Sequence, residues 1–301
     1  MCADGAAAWT LEDLVRSSLA GGVELLLGSD PLVWAADEAA GVRRARIATR
    51  WLRSDLRIFR PILERSWSEP LRRELEWLGG QQGPVRDADV LTAKLLDTVG
   101  DLPTEQQWTA TQLLDRLREI RSRKRDVLRD AMGTARYVDL LDRLEDAARA
   151  PELRDTLGAR RAKDEVAALV QRPWTKLCRR VDQLATPPSD TALHEVRKCV
   201  KQARYAFEAI APVAGKDART TAERLAALQD ALGRHHDAVV AASWLLDAVR
   251  GVNDPEVAFA AGEIAGSFAA EAREFRRAWP APWNEAQLNS ARVDSAMTTS
   301  S

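Results

Sequence analysis

Cysteine is scarce in this chain of 301 residues, and its few copies form no motif. The three cysteines are Cys2, Cys178 and Cys199, so they are odd in number and widely separated. This pattern excludes a disulfide framework and a zinc site built from Cys-x-x-Cys pairs. It predicts a protein of a reducing compartment, and we expect a cytoplasmic one.

Histidine is equally scarce, which limits the metal sites that the chain can build. Two of the three histidines stand side by side in His235-His236-Asp237, and the third is His194. A His-Asp phosphohydrolase needs further ligands at helical spacings upstream, and an HExxH motif is missing too. We therefore predict no metal site, no cofactor and no catalytic residue. A metal-dependent phosphohydrolase is kept as the alternative.

Long apolar runs and a surplus of either charge are missing as well. No stretch is apolar enough to span a bilayer, and the N-terminus lacks a basic segment followed by an apolar core, so we expect no membrane association. The 44 lysines and arginines are balanced by 45 aspartates and glutamates, for a net charge of −1. Because the chain as a whole is nearly neutral, a local concentration of cations indicates a specific anion site.

One such concentration is a stripe of arginines at helical spacing. The spacings are 3, 4, 3, 4 and 3, and they place the side chains within an arc of about 100° on one helix: Arg43, Arg46, Arg50, Arg53, Arg57 and Arg60. Apolar side chains such as Leu52 and Phe59 form a stripe on the opposite face. The segment predicts a helix that is anchored by one face, presents a basic ridge on the other and ends at Pro61.

The basic stripe is repeated further along the chain. A shift of 151 positions superposes four pairs: Arg46 on Arg197, Arg50 on Lys201, Arg53 on Arg204 and Pro61 on Pro212. At a shift of 150, the segment that begins at Gly83 lies over the one that begins at Gly233. Packing alone would explain a repeated core, but a repeated cationic stripe predicts two halves that face one shared anionic partner.

Apolar residues at spacings of three and four predict helix for most of the chain. We expect breaks at the prolines and glycines of the helical segments: Gly79, Gly80, Gly83, Pro84, Gly133, Pro173 and Pro212. The clearest linker is Thr186-Pro-Pro-Ser-Asp190, with Asp190 or Thr191 as the N-cap of the second basic helix. The predicted organisation is an N-terminal extension over 1–10, a first helical half over 11–185, a second half over 186–280 and a disordered tail over 281–301.

These segments resemble the signatures of the CHAD family, helical domains named for conserved histidines. Arg46-Ile-Ala-Thr-Arg50-Trp-Leu-Arg53 is similar to the family's first signature, His-x-x-Arg-Val-Ala-Thr-Arg-x-Leu-Arg. The second signature, His-x-x-Arg-Lys-x-x-Lys-x-x-Arg-Tyr, is matched by His194, Arg197, Lys198, Lys201, Arg204 and Tyr205. The likeness runs from about residue 11 to about residue 280. The sequence differs from the first signature at its first position, where Arg43 replaces the family's histidine. Arginine, unlike histidine, cannot titrate near neutral pH.

The resemblance implies an all-α fold of two four-helix bundles, related by an internal pseudo-two-fold repeat, with a basic channel between them. It also implies a non-catalytic function, the binding of inorganic polyphosphate, whose oxygens suit arginine forks. The expected contacts are Arg46, Arg50, Arg53, Arg57, His194, Arg197, Lys198, Lys201 and Arg204, with Arg43, Arg86 and His236 as secondary ones. Association with polyphosphate granules is a further expectation.

Three other interpretations stay open. The first is the metal-dependent phosphohydrolase, acting on polyphosphate or triphosphate; its acidic groups would be Asp87, Asp89, Asp230 and Asp237, which we interpret instead as partners that fix the arginines. The second is a nucleic-acid-binding adaptor, since the ten tryptophans could stack on bases. Only Trp51 lies within the stripe, so nucleic acid is not the expected partner. The third is a solvated charged face that binds nothing.

Overall fold

Helices make up nearly all of the structure, a computed structural model that describes residues 9–35, 39–100, 104–250, 252 and 254–288. In chain order they are α1 (Leu11–Leu27), α2 (Asp30–Trp34), α3 (Ala39–Ile58), α4 (Arg65–Val99), α5 (Thr104–Met132), α6 (Ala135–Arg149), α7 (Ala162–Asp182), α8 (Asp190–Ala214), α9 (Lys216–Ala248) and α10 (Pro255–Ala278). A 3₁₀ turn precedes α7, and residues 280–288 are helical too. The described part holds no strand, only two isolated bridges, so the predicted all-α class is confirmed.

Several helices begin where a side chain caps the backbone. Thr10 and Asp13 form a reciprocal capping box at the start of α1. Asp254 accepts hydrogen bonds from two backbone amides at the start of α10. At α8 the cap is Ser189, whose hydroxyl accepts from the backbone amide of Ala192, so the prediction of Asp190 or Thr191 is wrong by one or two residues.

Most of the prolines and glycines predicted to interrupt helices lie inside continuous helices. Gly79, Gly80, Gly83 and Pro84 lie inside the 35-residue α4, Pro173 lies inside α7, and Pro212 lies in the last turn of α8. An interior proline costs about 3 kcal/mol, but each buried leucine returns about 1.5–3 kcal/mol. Since α4 buries leucines on both sides of Pro84, packing outweighs local propensity. The break near Gly133 is confirmed, and Gly215, with φ at 79°, allows the reversal between α8 and α9.

The predicted disordered tail is wrong for its first part. Residues 281–288 are helical, and Trp283 is only 5% exposed. Its ring stacks on that of Trp174 with 5.8 Å between centroids, and Glu285 pairs with Arg224. The segment is predicted to be disordered because most of its residues are small or polar, but its buried tryptophan, Trp283, packs it onto α7. Residues 289–301 lie outside the described ranges.

The buried side chains form two apolar clusters. The larger one joins helices from both predicted halves, with Leu52 of α3 and Phe207 of α8 among its members. The smaller one lies at the far ends of α4 and α9, where they pack with α5 and α10 around residues such as Leu114 and Phe268. Helix α7 packs on α8, so the predicted boundary between 185 and 186 separates two helices that pack together.

Contacts between the predicted halves bring the two basic helices together. Helix α3 contacts α8, and α4 contacts α9. No described helix combines the length and the apolar composition that a bilayer crossing requires.

Candidate anion-binding site

The basic faces of α3 and α8 open onto a cavity of about 1240 Å³, which we call the basic cavity. Twelve cationic side chains line it: Arg46, Arg50, Arg53, Arg57, Arg60, Arg65, Arg72, Arg154, Arg172, Lys176, Lys198 and Lys201. The lining includes one carboxylate, Glu76. A concave surface with this imbalance concentrates anions, because its low-dielectric walls focus the positive potential.

The basic cavity includes cations that the sequence patterns do not predict. Arg65 and Arg72 come from α4, Arg154 from the connection before α7, and Arg172 and Lys176 from α7 itself. Arg172 and Lys176 are four residues apart and therefore share one helix face. That spacing is the only sequence signal for the part of the cavity that α7 lines. It does not predict which helices α7 packs against.

The other predicted contacts are not part of the cavity lining: Arg43, Arg86, His194, Arg197, Arg204 and His236. Two of them, His194 of α8 and His236 of α9, pack against each other. Their rings lie 4.5 Å apart between centroids, with their Nδ1 atoms 3.3 Å apart. Lys201 connects this pair to the cavity, because it lines the cavity and its charge adds to the lowering of the His236 pKa that burial causes.

Two arginines of the repeated stripe lie against glycines of the neighbouring long helices. Nη1 of Arg46 donates a hydrogen bond of 3.1 Å to the carbonyl oxygen of Gly79. A Cβ on Gly83 would stand 3.1 Å from the same Nη1 atom. A Cβ on Gly233 would stand 3.7 Å from Nε and Nη2 of Arg197. Gly83 therefore leaves room for the Arg46 guanidinium group, whereas a Cβ on Gly233 would make only an ordinary van der Waals contact with Arg197.

A tyrosine connects the two basic helices. The hydroxyl of Tyr205 accepts a hydrogen bond of 2.7 Å from Nη2 of Arg50. The guanidinium carbons of Arg50 and Arg204 lie 5.7 and 5.6 Å from the centroid of the Tyr205 ring, within the range of cation–π attraction. Arg204 is also held by Glu208, with 2.8 Å between Nε and Oε1.

Carboxylates fix several arginines around the cavity. Glu76 pairs with Arg53. Glu69 pairs with both Arg60 and Arg72, at 3.1 and 2.9 Å between nitrogen and oxygen atoms. These ion pairs orient the three arginines around the cavity.

The crowding of cations shifts several pKa values. Burial, together with the charges of Arg50, Arg197, Arg46 and Lys198, lowers the pKa of Lys201 to about 7. Burial likewise lowers the pKa of Arg46 and Arg197, and it lowers that of His236 to about 4 with help from Arg197. Asp87 and Asp237 only partly offset these shifts at Arg46 and Arg197. Groups with perturbed pKa values cluster at functional sites.

Three of the acidic residues considered as catalytic groups, Asp87, Asp89 and Asp237, lie within electrostatic range of Arg86. Asp89 is buried and bonds Nε of Arg121 at 2.5 Å, whereas Asp87 and Asp230 are exposed. Asp237 lies in the field of Arg197 and Arg86, but burial dominates and raises its pKa. Within the described ranges no three His, Cys, Asp or Glu side chains are grouped to hold a metal ion.

His235 stands apart from its neighbour in sequence. It is buried, and its Nε2 lies 3.0 Å from Oδ1 of Asp190 at the start of α8. Arg276 of α10 pairs with the same carboxylate. His235 therefore lies against the beginning of α8 and outside the lining of the basic cavity.

Comparisons with known proteins agree with this architecture. The CHAD domain family model matches residues 18–246. PptA from Streptomyces chartreusis superposes with a TM-score of 0.76 at 24% identity, covering 91% of this chain and 99% of that one. The crystal structure of the CHAD domain from the plant Ricinus communis superposes with a TM-score of 0.73 at 23% identity, covering 94% and 93%. Among curated proteins, none matches the sequence.

Proposed function

The chain belongs to the CHAD domain family, and from this premise we propose that it binds inorganic polyphosphate in the basic cavity without cleaving it. The observation that carries the proposal is the lining of the cavity, with twelve cations against one carboxylate. Polyphosphate carries a charge on every unit and offers little else to recognise. An array of guanidinium donors is the matching receptor.

The length of the array favours a chain over a single phosphate. The cations that α3 and the residues after it contribute extend from Arg46 to Arg60, a span of about 21 Å at the rise of an α-helix. A single phosphate meets only a few of these side chains. A linear polyanion meets many of them and releases a counterion at each contact, so its binding weakens steeply with salt.

The scarcity of aromatic rings in the cavity lining argues against single-stranded nucleic acid. Tyr205 is the one aromatic residue among the described lining residues. Arg50 and Arg204 already lie against its ring. Stacking of bases on aromatic side chains supplies much of the affinity for single strands, and this cavity offers no free platform for it.

The lining also favours binding over hydrolysis. Enzymes that transfer phosphoryl groups hold their metal ions with carboxylates. The lining carboxylate here, Glu76, already pairs with Arg53. The proposal therefore treats the cavity as a receptor and assigns no residue a catalytic role.

The test is a titration with long-chain polyphosphate and with RNA, at equal phosphate concentration and two salt concentrations. We expect tighter binding of polyphosphate, with a slope of log K against log salt of about −0.7 for each neutralised phosphate. Arg273→Glu on α10 is a charge-matched control, since Arg273 is exposed and outside the cavity lining. RNA binding as tight as polyphosphate binding contradicts the proposal. So does phosphate release with Mg²⁺, Mn²⁺ or Zn²⁺ that is lost in His236→Ala.

A further inference from the structure

Lys201 occupies a position that distinguishes it from the other lysines of the cavity. It is half-buried where α8 faces α3, and it lines the basic cavity. The charged groups around it are cationic, with Arg46 and Arg50 on α3 and Arg197 and Lys198 on α8. On α9, the pKa of His236 is lowered by burial and, among the neighbouring charges, by that of Lys201.

Pairing separates Lys201 from comparable lysines. Lys198 lines the same cavity but is exposed, and its Nζ lies 2.6 Å from Oε1 of Glu195. The partly buried Lys94 pairs with Glu271 at 2.5 Å. Of the residues that the structure describes, none gives Lys201 a carboxylate at salt-bridge distance. No salt bridge from a described residue therefore stabilises its ammonium form.

The consequence is an amine that gives up its proton easily. Burial and the neighbouring cations lower the pKa of Lys201 to about 7, so a large share of the side chain is neutral at physiological pH. A neutral amine is a nucleophile, and desolvation beside other cations is a recognised way of activating a lysine. The same cations attract negatively charged reagents to the cavity.

We propose that Lys201 is a site of covalent acylation by acyl phosphates that enter the basic cavity. The proposal rests on the proposed function in one respect, namely that the cavity admits phosphate groups. It adds a second class of ligand, which is small and reactive, and a means by which that ligand modifies the site.

The reaction is a transfer of an acyl group. The nitrogen of Lys201 attacks the carbonyl carbon of the acyl phosphate, and a carbon–nitrogen bond forms. The bond between that carbon and the bridging oxygen breaks, and its electron pair leaves with the phosphate. The proton released by the amine goes to the departing phosphate, so the products are an amide and inorganic phosphate. Arg46 and Arg50 lie on the facing wall, where guanidinium groups stabilise the charge of the leaving phosphate.

Acylation changes the binding site itself. It converts a side chain that can carry positive charge into a neutral amide on the wall of the cavity. The modified protein therefore loses one cationic contact with a bound polyanion. We expect acylated protein to bind long-chain polyphosphate more weakly and with a shallower salt dependence.

The experiment treats the full chain with acetyl phosphate at pH 7.5 and follows each lysine by peptide mass spectrometry over time. Lys198 is the matched control, because it lies three residues away and lines the same cavity. We expect Lys201 to be acetylated on the order of tenfold faster than Lys198, because burial and the neighbouring cations leave much of the Lys201 amine neutral. Sulfate at high concentration competes for the cavity and should slow acetylation at Lys201, whereas Lys163, which is exposed and outside the cavity lining, should be acetylated at an unchanged rate. Lys201→Arg should remove the fast phase, with circular dichroism as the folding control.

The possible outcomes separate this proposal from the proposed function. Acetylation of Lys201 at or below the rate of Lys198, or a rate that sulfate does not change, overturns the acylation proposal. Selective acetylation that long-chain polyphosphate fails to slow supports acylation and counts against polyphosphate binding in this cavity. Tight polyphosphate binding by a protein whose Lys201 is unreactive supports the proposed function and overturns the acylation proposal.

Discussion

Arg50 and Tyr205 form a hydrogen bond of 2.7 Å between α3 and α8, although 155 positions separate them in the sequence. The bond joins two residues that line the same cavity from its two walls. It therefore fixes one basic ridge against the other. The same guanidinium group that serves this contact is also available to a ligand.

Removing the hydroxyl tests this link. In Tyr205→Phe we expect a loss of about 1 kcal/mol in the free energy of unfolding, since a partly buried hydrogen bond is lost while the ring remains. We also expect weaker binding of long-chain polyphosphate, because Arg50 becomes free to move. Urea unfolding and a polyphosphate titration measure the two effects. Unchanged affinity would show that the bond has only a structural role.

Charge reversal tests whether both walls contact one ligand. Arg50→Glu and Lys201→Glu should each weaken binding of long-chain polyphosphate by about tenfold or more, because each change removes a cation and adds a repelling charge. Short polyphosphates that contact one wall should respond to one of the two changes and ignore the other. The measurement is the affinity of both single variants and the double variant, with circular dichroism as the folding control. If one substitution has no effect at any chain length, the shared-cavity model fails.

The glycines of α4 offer a matched pair of substitutions. A Cβ on Gly83 would lie 3.1 Å from Nη1 of Arg46, whereas one on Gly80 would meet nothing within 4 Å. Gly80 also lines the basic cavity, but Gly80→Ala should leave the Arg46 guanidinium in place and stabilise the protein by about 0.5–1 kcal/mol through helix propensity. Gly83→Ala should displace the Arg46 guanidinium and lower the affinity for polyphosphate. Equal affinities in the two variants would refute a positioning role for Gly83.

The affinity for polyphosphate should depend on pH through Lys201. Its pKa is about 7 in the free protein, and a bound polyanion favours the ammonium form and raises that pKa. Below pH 7 the side chain is already charged, so affinity is highest there. It falls as pH rises from about 7 toward the pKa of the complex, because binding then requires uptake of a proton. Titrations at pH 6 and pH 8 should differ for the natural chain and agree much more closely for Lys201→Arg.

The stability of the fold should depend on pH through Asp55. Burial raises the pKa of this carboxyl to about 7, although the hydroxyl of Ser18 donates a hydrogen bond of 2.8 Å to it. The folded state therefore binds the proton more tightly than the unfolded chain does. This contribution is fully present below the unfolded pKa near 4, and it is lost as pH rises through 7. Urea unfolding at pH 5 and pH 8 should show a smaller difference in Asp55→Asn; an unchanged difference would assign the dependence to other groups.

Periodicity predicts the two basic helices well, and tertiary packing decides the rest of the site. The spacing of charges predicts that Arg50 and Lys201 lie on the faces directed at the cavity, and both residues line it. It does not predict that Arg197 and Arg204, on the same predicted face as Lys201, lie outside the lining. Arg154 and Arg172 could not be predicted, because nothing local tells which connection or helix packs beside α8. Gly83 misleads for a similar reason: glycine is typical of a break, but here it accommodates a guanidinium group from another helix.

The packing of Trp283 has a consequence for where the domain ends. Trp174 of α7 lies between Phe207 of α8, with ring centroids 6.0 Å apart, and Trp283, at 5.8 Å. The helical segment over 280–288 thus packs against α7. Helix α7 is the helix that supplies Arg172 and Lys176 to the cavity. The family match stops at residue 246. A fragment cut there would keep both signature helices and still lose the support of one cavity wall, so the folded unit is longer than the segment that the family model matches.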